Sequence, residues 1–273
     1  MENIILDHKQ CLIAGDGSLP VQMAKSAKQN GFEVICVSLS SDNYKQLKKY
    51  CSNIVSYGPG QVDSIMNFLK KNDIKQLTFL GKVSKTMLLK RPKLEKTAFI
   101  LLKEMKKLND DAIMLKIVEQ LELMNIKILD QTIFIKNLMV QKGVLTKTLP
   151  TNAQYADIDY GFKIAKEIGG LDIGQSVVIK DRMIMAVEAI EGTDKCIKRG
   201  CKLARKKNAI VVKVSKPAQD KRFDIPAVGL KTIKTMRKYG ANVLALESGE
   251  TIIVCQDKMI DYANKHNIVI VAL

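Results

Sequence analysis

Short apolar runs separated by amphipathic stretches fill the first half of the chain. Cys11-Leu12-Ile13-Ala14, Val34-Ile35-Cys36-Val37, Ile54-Val55 and Leu77-Thr78-Phe79-Leu80 are brief and apolar at successive positions, the mark of strands buried on both faces. Between them, residues 20–30, 44–50 and 62–72 carry helical spacing, the first stretch closed by Gly31. Strand and helix in alternation predict a parallel sheet flanked by helices. Two more helical stretches follow over 97–108 and 112–124, the second preceded by Asn109-Asp110-Asp111 as capping residues.

The pattern then lapses. Residues 141–150, including Lys142-Gly143-Val144 and Thr148-Leu149-Pro150, keep neither periodicity and read as an interdomain linker. Beyond them a helix over 156–168 ends at Gly169-Gly170, and Val177 to Val187 reads as a hairpin with a polar Asp181-Arg182 tip. Strands are expected at 210–212, 243–246, 252–254 and 268–270, with helices over 230–239 and 259–266 among them. The fold class that follows is α/β in two lobes: a Rossmann-like parallel-sheet domain over 1–140, and a mixed-sheet domain over 151–273 that carries Asp224.

Composition narrows the partners. At 273 residues the chain can bury two cores. Its formal net charge of +16, with lysines gathered on helix faces such as Lys70-Lys71 and Lys103, favours a polyanionic or phosphorylated partner, or an anionic membrane surface. Nucleic acid is not expected: there is no Trp, and aromatics make up 5% of residues with none set among basic runs. Six cysteines show no C-x-x-C pair, and Cys11, Cys36 and Cys255 fall in apolar runs as reduced, packed thiols. Two histidines leave little for a zinc centre. No apolar run reaches membrane-spanning length and no signal segment is apparent, so the expected location is the cytoplasm.

Candidate chemistry gathers in three places. Gly15-Asp16-Gly17-Ser18-Leu19-Pro20 joins the first strand to the first helix, where backbone N–H groups can cradle an anion or simply make a turn. Pro20 stands where the dinucleotide fingerprint needs its third glycine, and no acid closes the second strand, which argues against a nicotinamide site. Gly81-Lys82-Val83 leaves the fourth strand at the same sheet edge, so Lys82 could reach a phosphate. Farther on stand Glu188, Glu191 and Asp194, then Lys213 and Lys216, then Asp224 between Phe223 and Ile225-Pro226. Carboxylates can hold a divalent cation, and lysines can offset the charge on phosphoanhydride oxygens. Each acid alone could equally be a helix cap or half of a surface ion pair.

These segments resemble one family in order and along nearly the whole chain. Leu171-Asp172-Ile173-Gly174-Gln175, Glu188 to Asp194, Lys213 to Pro217 and Asp224-Ile225-Pro226-Ala227-Val228-Gly229 are similar to the I-type UDP-2,3-diacylglucosamine pyrophosphatases of lipid A biosynthesis. The loop from Ile13 to Pro20, Gly81-Lys82-Val83-Ser84 and Asp110-Asp111-Ala112 match in the same order. The resemblance implies hydrolysis of UDP-2,3-diacylglucosamine to lipid X and UMP, with Mg2+ as cofactor and Mn2+ as a substitute. It places the essential aspartate at Asp224, as metal ligand or water-positioning group, with Glu191 and Asp194 as further metal candidates. It implies substrate contacts at Gly17, Ser18, Leu19, Gly81, Lys82, Val83, Gln175, Thr193 and Lys213, and Lys216 adds a charge beside them. The partners it implies are the glycolipid and the inner-membrane surface, touched peripherally from the cytoplasm. Asp16 departs from the small residue common in relatives. The competing reading is a non-catalytic, Rossmann-like nucleotide-sugar-binding protein, which would need neither Asp224 nor magnesium.

Overall fold

A computed structural model describes residues 5–83, 94–104 and 110–273, without the side chains of residues 102, 104, 110 and 111. The chain forms two compact units, one of Met1–Lys136 with Lys221–Asp224, the other of Asn137–Asp220 with Ile225–Leu273.

In the first unit, strands β1 (Lys9–Ala14), β2 (Glu33–Ser38), β3 (Asn53–Ser56), β4 (Gln76–Leu80) and β5 (Lys127–Ile128) form one sheet in the order β3-β2-β1-β4-β5. Every pairing is parallel, as the unbroken apolar runs require. Helices α1 (Leu19–Gln29), α2 (Tyr44–Leu47), α3 (Val62–Lys71), α4 (Lys96–Glu104) and α5 (Asp110–Leu123) connect and cover it. Pro20 lies in the first turn of α1, where a missing N–H costs nothing. Cys11, Ile13, Ile35, Val37, Leu69, Leu77, Val118 and Leu121 are among the residues of the core. The chain winds outward from β1 to β3, then returns to place β4 on the other flank of β1, which makes the carboxyl ends of β1 and β4 a topological switch point.

Two acids fasten α3 and α4 together at their amino ends. The Glu95 carboxylate accepts from the N–H and hydroxyl of Ser64, and the Asp63 carboxylate accepts from the N–H and hydroxyl of Thr97. Each carboxylate thus meets orphan donors in the other helix's first turn, at the positive end of its dipole. The Thr97 hydroxyl, followed by its N–H, holds the Asp63 carboxyl below the usual aspartate value.

The second unit holds a mixed sheet in the order β6-β13-β11-β9-β7-β8: β6 (Gly143–Val144), β13 (Val269–Ala272), β11 (Ala241–Leu246), β9 (Ala209–Lys213), β7 (Ser176–Lys180) and β8 (Met183–Val187). A short parallel pair, β10 (Ala227–Gly229) and β12 (Ile252–Val254), stands apart. Alternation along the strands divides two cores. Val178, Val211, Leu244 and Ile270 pack in one, and Val177, Ile179, Ile210, Val212, Val243 and Val269 in the other. Helix α6 (Asn152–Gly170) opens on a capping box between Thr151 and Gln154, and its Ile158 and Ala165 enter the second core. Helix α7 (Thr193–Leu203) packs Cys196, Ile197 and Cys201 into the first. Helices α8 (Leu230–Tyr239) and α9 (Gln256–Lys265) complete the unit.

Three features differ from the reading of the sequence. The stretch 141–150 contains β6, which pairs antiparallel with β13, and Leu145 N–H donates to the Ile270 carbonyl, so it is tied into the second unit. Cys255 is exposed at the amino end of α9 in left-handed backbone (φ 54°), not buried in a strand. Asp224 belongs to the first unit, not to the C-terminal lobe. The physical reason is its neighbour Phe223, which packs on the first unit's core, aided by a bond from Gln131 N–H to the Lys221 carbonyl and an Arg222–Glu122 ion pair at 2.9 Å.

Candidate active site

At the switch point the loops after β1 and β4 are zipped backbone to backbone. Gly15 N–H donates to the Leu80 carbonyl (2.9 Å), Asp16 N–H to Lys82 (2.8 Å), and Lys82 N–H back to Asp16 (3.0 Å). A Cβ at Gly15 would lie 2.6 Å from the Lys82 carbonyl oxygen, and one at Gly81, whose φ is +99°, would lie 2.8 Å from the Asp16 oxygen. Only glycine permits this approach. The N–H groups of Gly15 and Asp16 are therefore committed to the facing loop, which narrows the anion cradle to the amino end of α1, at Gly17, Ser18 and Leu19. The carboxylate of Asp16 accepts from the Ser40 hydroxyl, and the Asn43 amide donates to the Gly15 carbonyl (2.8 Å). The Asp16 carboxylate thus fastens this loop to the loop after β2.

Beside the zipped loops lies a cavity of about 480 Å³. Its walls are apolar: Ile13, Leu39 and Phe79 from the sheet edge, Val62, Ile65 and Met66 from α3, and Ile113, Met114 and Ile117 from α5. Gly81, Lys82, Val83, Gln131 and Asp224 also line it. Among these lining residues, Lys82 and Asp224 carry the formal charges. Gln131 is held by a bond from its side-chain amide to the Phe79 carbonyl (2.8 Å). Neither this cavity nor Gln131 is legible in the sequence, because the wall is assembled from seven separated segments. Ser84 lies outside the described residues, as do the Asp110 and Asp111 side chains.

The second unit gathers a different set. Lys213, at the carboxyl end of β9, is only 4% exposed, and its ammonium donates to the Thr193 hydroxyl (3.1 Å) and the Ser176 hydroxyl (3.4 Å). Thr193 donates in turn to one oxygen of Glu188 (2.8 Å), itself 7% exposed. The other Glu188 oxygen is 3.9 Å from the ammonium and has no hydrogen bond among the described residues. A Cβ at Gly174 would fall 2.1 Å from the Glu188 carbonyl oxygen, so the loop carrying Gln175 runs directly against this acid. The buried amide oxygen of Gln175 also has no partner among the described residues. Thr193 and Lys213 are therefore brought together around Glu188, one of the carboxylates picked out in the sequence, though not one assigned to substrate or metal.

The proposed metal carboxylates are dispersed. Glu191 pairs with Arg199, whose guanidinium holds its carboxyl below the usual range. Asp194 pairs with Lys231 at 2.9 Å, and Lys216 with Asp172 at 2.7 Å. Among the described residues no three carboxylate, imidazole or thiol groups converge as a metal cage. Glu191 and Asp194, neutralised by their own cations, do not fit a ligand role. Asp224 lines the cavity beside Lys82, and a hard cation of the magnesium type takes one or two carboxylates and draws its remaining oxygens from phosphate and water.

Family models describe both parts of this chain. One for the LpxI N-terminal domain matches residues 9–138 and one for the LpxI C-terminal domain matches 141–271. Over 263 residues the chain is 29% identical to a protein of Caulobacter vibrioides named UDP-2,3-diacylglucosamine pyrophosphatase LpxI, covering 93% of each. A solved N5-carboxyaminoimidazole ribonucleotide synthetase in complex with ADP is similar over 66% of this chain and 34% of that one, with 13% identity and a TM-score of 0.31. The chain spans about a third of that structure's length, and the likeness is too slight to carry an argument.

Proposed function

The chain belongs to the LpxI family, and from that premise we propose that it hydrolyses the pyrophosphate of UDP-2,3-diacylglucosamine, giving 2,3-diacylglucosamine 1-phosphate and UMP in lipid A biosynthesis. The observation that supports this most directly is the cavity with Lys82 and Asp224 in its lining. Each buried methylene contributes about 0.8 kcal/mol, so some ten methylenes of an acyl chain would supply roughly 8 kcal/mol of binding. An apolar wall beside a carboxylate and an ammonium suits a ligand that is half lipid and half phosphate. The enzyme would meet its substrate at the cytoplasmic face of the inner membrane by surface contact; none of the described helices is long and apolar enough to cross a membrane.

Asp224 is assigned the task of positioning the attacking water, and it would hold the Mg2+, or Mn2+ in its place. The bound cation supplies charge neutralisation to the phosphoanhydride oxygens. Lys82, by its place in the cavity lining, would meet the lipid-side phosphate near Gly17, Ser18 and Leu19. In the second unit, Lys213, hydrogen-bonded to Thr193, is a candidate to contact a phosphate oxygen, and the orphan amide oxygen of Gln175 a candidate to accept a donor. Water adds to the sugar-side phosphorus, the bridging oxygen leaves with UMP, and the proton of water passes to solvent.

The test is a product analysis in ¹⁸O-enriched water with the full chain. The expected result is UMP and diacylglucosamine phosphate in equal amounts, with the label in the lipid phosphate, turnover stopped by EDTA and restored by Mg2+. Formation of UDP and free diacylglucosamine would overturn the reading, since that is cleavage of the glycosidic bond. Label in UMP would move the attack to the other phosphorus.

A further inference from the structure

Helix α4 turns an unusual face outward. Lys96, Phe99, Ile100 and Lys103 recur at intervals of three, one and three, which stacks them in a single stripe. All four are exposed, Phe99 at 60% and Ile100 at 42%. An ordinary surface helix hides such a stripe against the core. Here the opposite side does that work: Ala98 is buried, and Thr97 is fastened to Asp63. The two acids at this end of the helix, Asp63 and Glu95, are turned into the bonds with Thr97 and Ser64. What the stripe presents is two apolar side chains between two ammonium groups.

We propose that α4 is the element that seats this protein on an anionic bilayer, Phe99 and Ile100 entering the acyl boundary and Lys96 and Lys103 lying among the headgroups. Charge complementarity selects a membrane over a second copy of the chain, since two such stripes face to face would oppose four lysines in a protein of net charge +16. An interfacial helix requires an apolar strip with basic flanks, and each lysine near an anionic surface adds about fivefold to binding. The location also fits. Helix α4 is clamped to α3, and α3 contributes Val62, Ile65 and Met66 to the cavity wall, so the helix that bears the membrane face is fastened to one that walls the apolar cavity. Attachment rests on α4 alone. Its use in delivering lipid substrate rests on the function proposed above.

The experiment is flotation of the full chain with phosphatidylcholine vesicles, with and without phosphatidylglycerol. The parent should float with anionic vesicles only. Phe99→Ser with Ile100→Ser should weaken that binding by about tenfold or more, and Lys96→Gln with Lys103→Gln by about twenty-five-fold. All four side chains are exposed, so unchanged melting temperatures are expected and would confirm intact folding. Turnover of detergent-dispersed substrate should stay parental in the Phe99/Ile100 variant while turnover of vesicle-embedded substrate falls. Parental flotation of that variant, or a parent indifferent to phosphatidylglycerol, would overturn the proposal. So would a dimer in light scattering that the same variant dissociates. Flotation as expected with no turnover of either substrate form would leave the membrane face standing and remove the hydrolase reading.

Discussion

In the first unit the carboxyl end of a parallel sheet opens on a cavity walled by Leu39, Ile65, Met66 and Phe79, with Lys82 and Asp224 as the charged groups among its described lining residues. In the second unit the carboxyl end of β9 closes over an ammonium, Lys213, wrapped by Thr193, Ser176 and Glu188. Both use the end of a parallel strand where ligands gather in such sheets, yet one keeps apolar space and the other keeps a satisfied charge. A space can be filled by any ligand of the right shape. A buried ion pair is an internal commitment, because removing one member strands the other.

The strongest way to break this comparison is Asp224→Asn, which keeps the side chain's shape and removes its charge. We expect hydrolysis to fall by at least about a thousandfold, some 4 kcal/mol of transition-state stabilisation, with the melting temperature unchanged. A rate within about tenfold of the parent would make the cavity a bystander. Lys213→Met tests the other unit. It leaves Glu188 buried without its cation and should cost about 3–5 kcal/mol in urea unfolding. Lys213→Met combined with Glu188→Met should recover much of that loss while remaining inactive, and a double variant as unstable as the single would show that the pair is not coupled.

Smaller effects probe what positions the cavity. Gly15→Ala puts a methyl into the Lys82 carbonyl and should cost roughly 1–3 kcal/mol as the zipped loops part. The same substitution at Gly58, where the nearest atom is a side-chain end at 3.6 Å, should be near neutral, and equal losses at the two sites would deny the zipper any special role. The smallest effect concerns the clamp on α4. Because the Asp63 carboxyl titrates below its unfolded value, its contribution is complete above about pH 4 and is lost as pH falls through the lowered value. Asp63→Asn should therefore be less stable than the parent by under about 1 kcal/mol at neutral pH, with the gap closing in acid. A gap that widens in acid would reverse the assignment.

Which parts of this could be read from the chain follows from how far each contact reaches. Leu12, Ile35 and Leu77 announce the first sheet because a buried parallel strand is apolar at every position. Helix α7 escaped notice because its buried side is Cys196, Ile197, Gly200 and Cys201 amid lysines, an apolar stripe too small to register. The segment around Gly143 looked like a linker because a two-residue edge strand carries no period. Asp224 was conspicuous between Phe223 and Ile225-Pro226, but its place in the first unit depends on Phe223 reaching a core whose other members precede residue 130. Glu191 and Asp194 drew attention as carboxylates, while the cations that occupy them, Arg199 and Lys231, are eight and thirty-seven positions away and unmarked by any motif.

The return of residues 221–224 to the first unit also bears on how such a protein can evolve. The two family models meet near residue 140, as though the halves were exchangeable cassettes. A recombination event at that junction would bring in, with a foreign second half, a foreign Phe223 and Asp224 as well. The incoming phenylalanine would have to fit a core it had never met, and the incoming aspartate a cavity shaped by another lineage. Only crossovers that respect both junctions, before and after this short excursion, keep the first unit whole. The halves are thus bound to a shared inheritance by four residues, and should change together rather than by exchange.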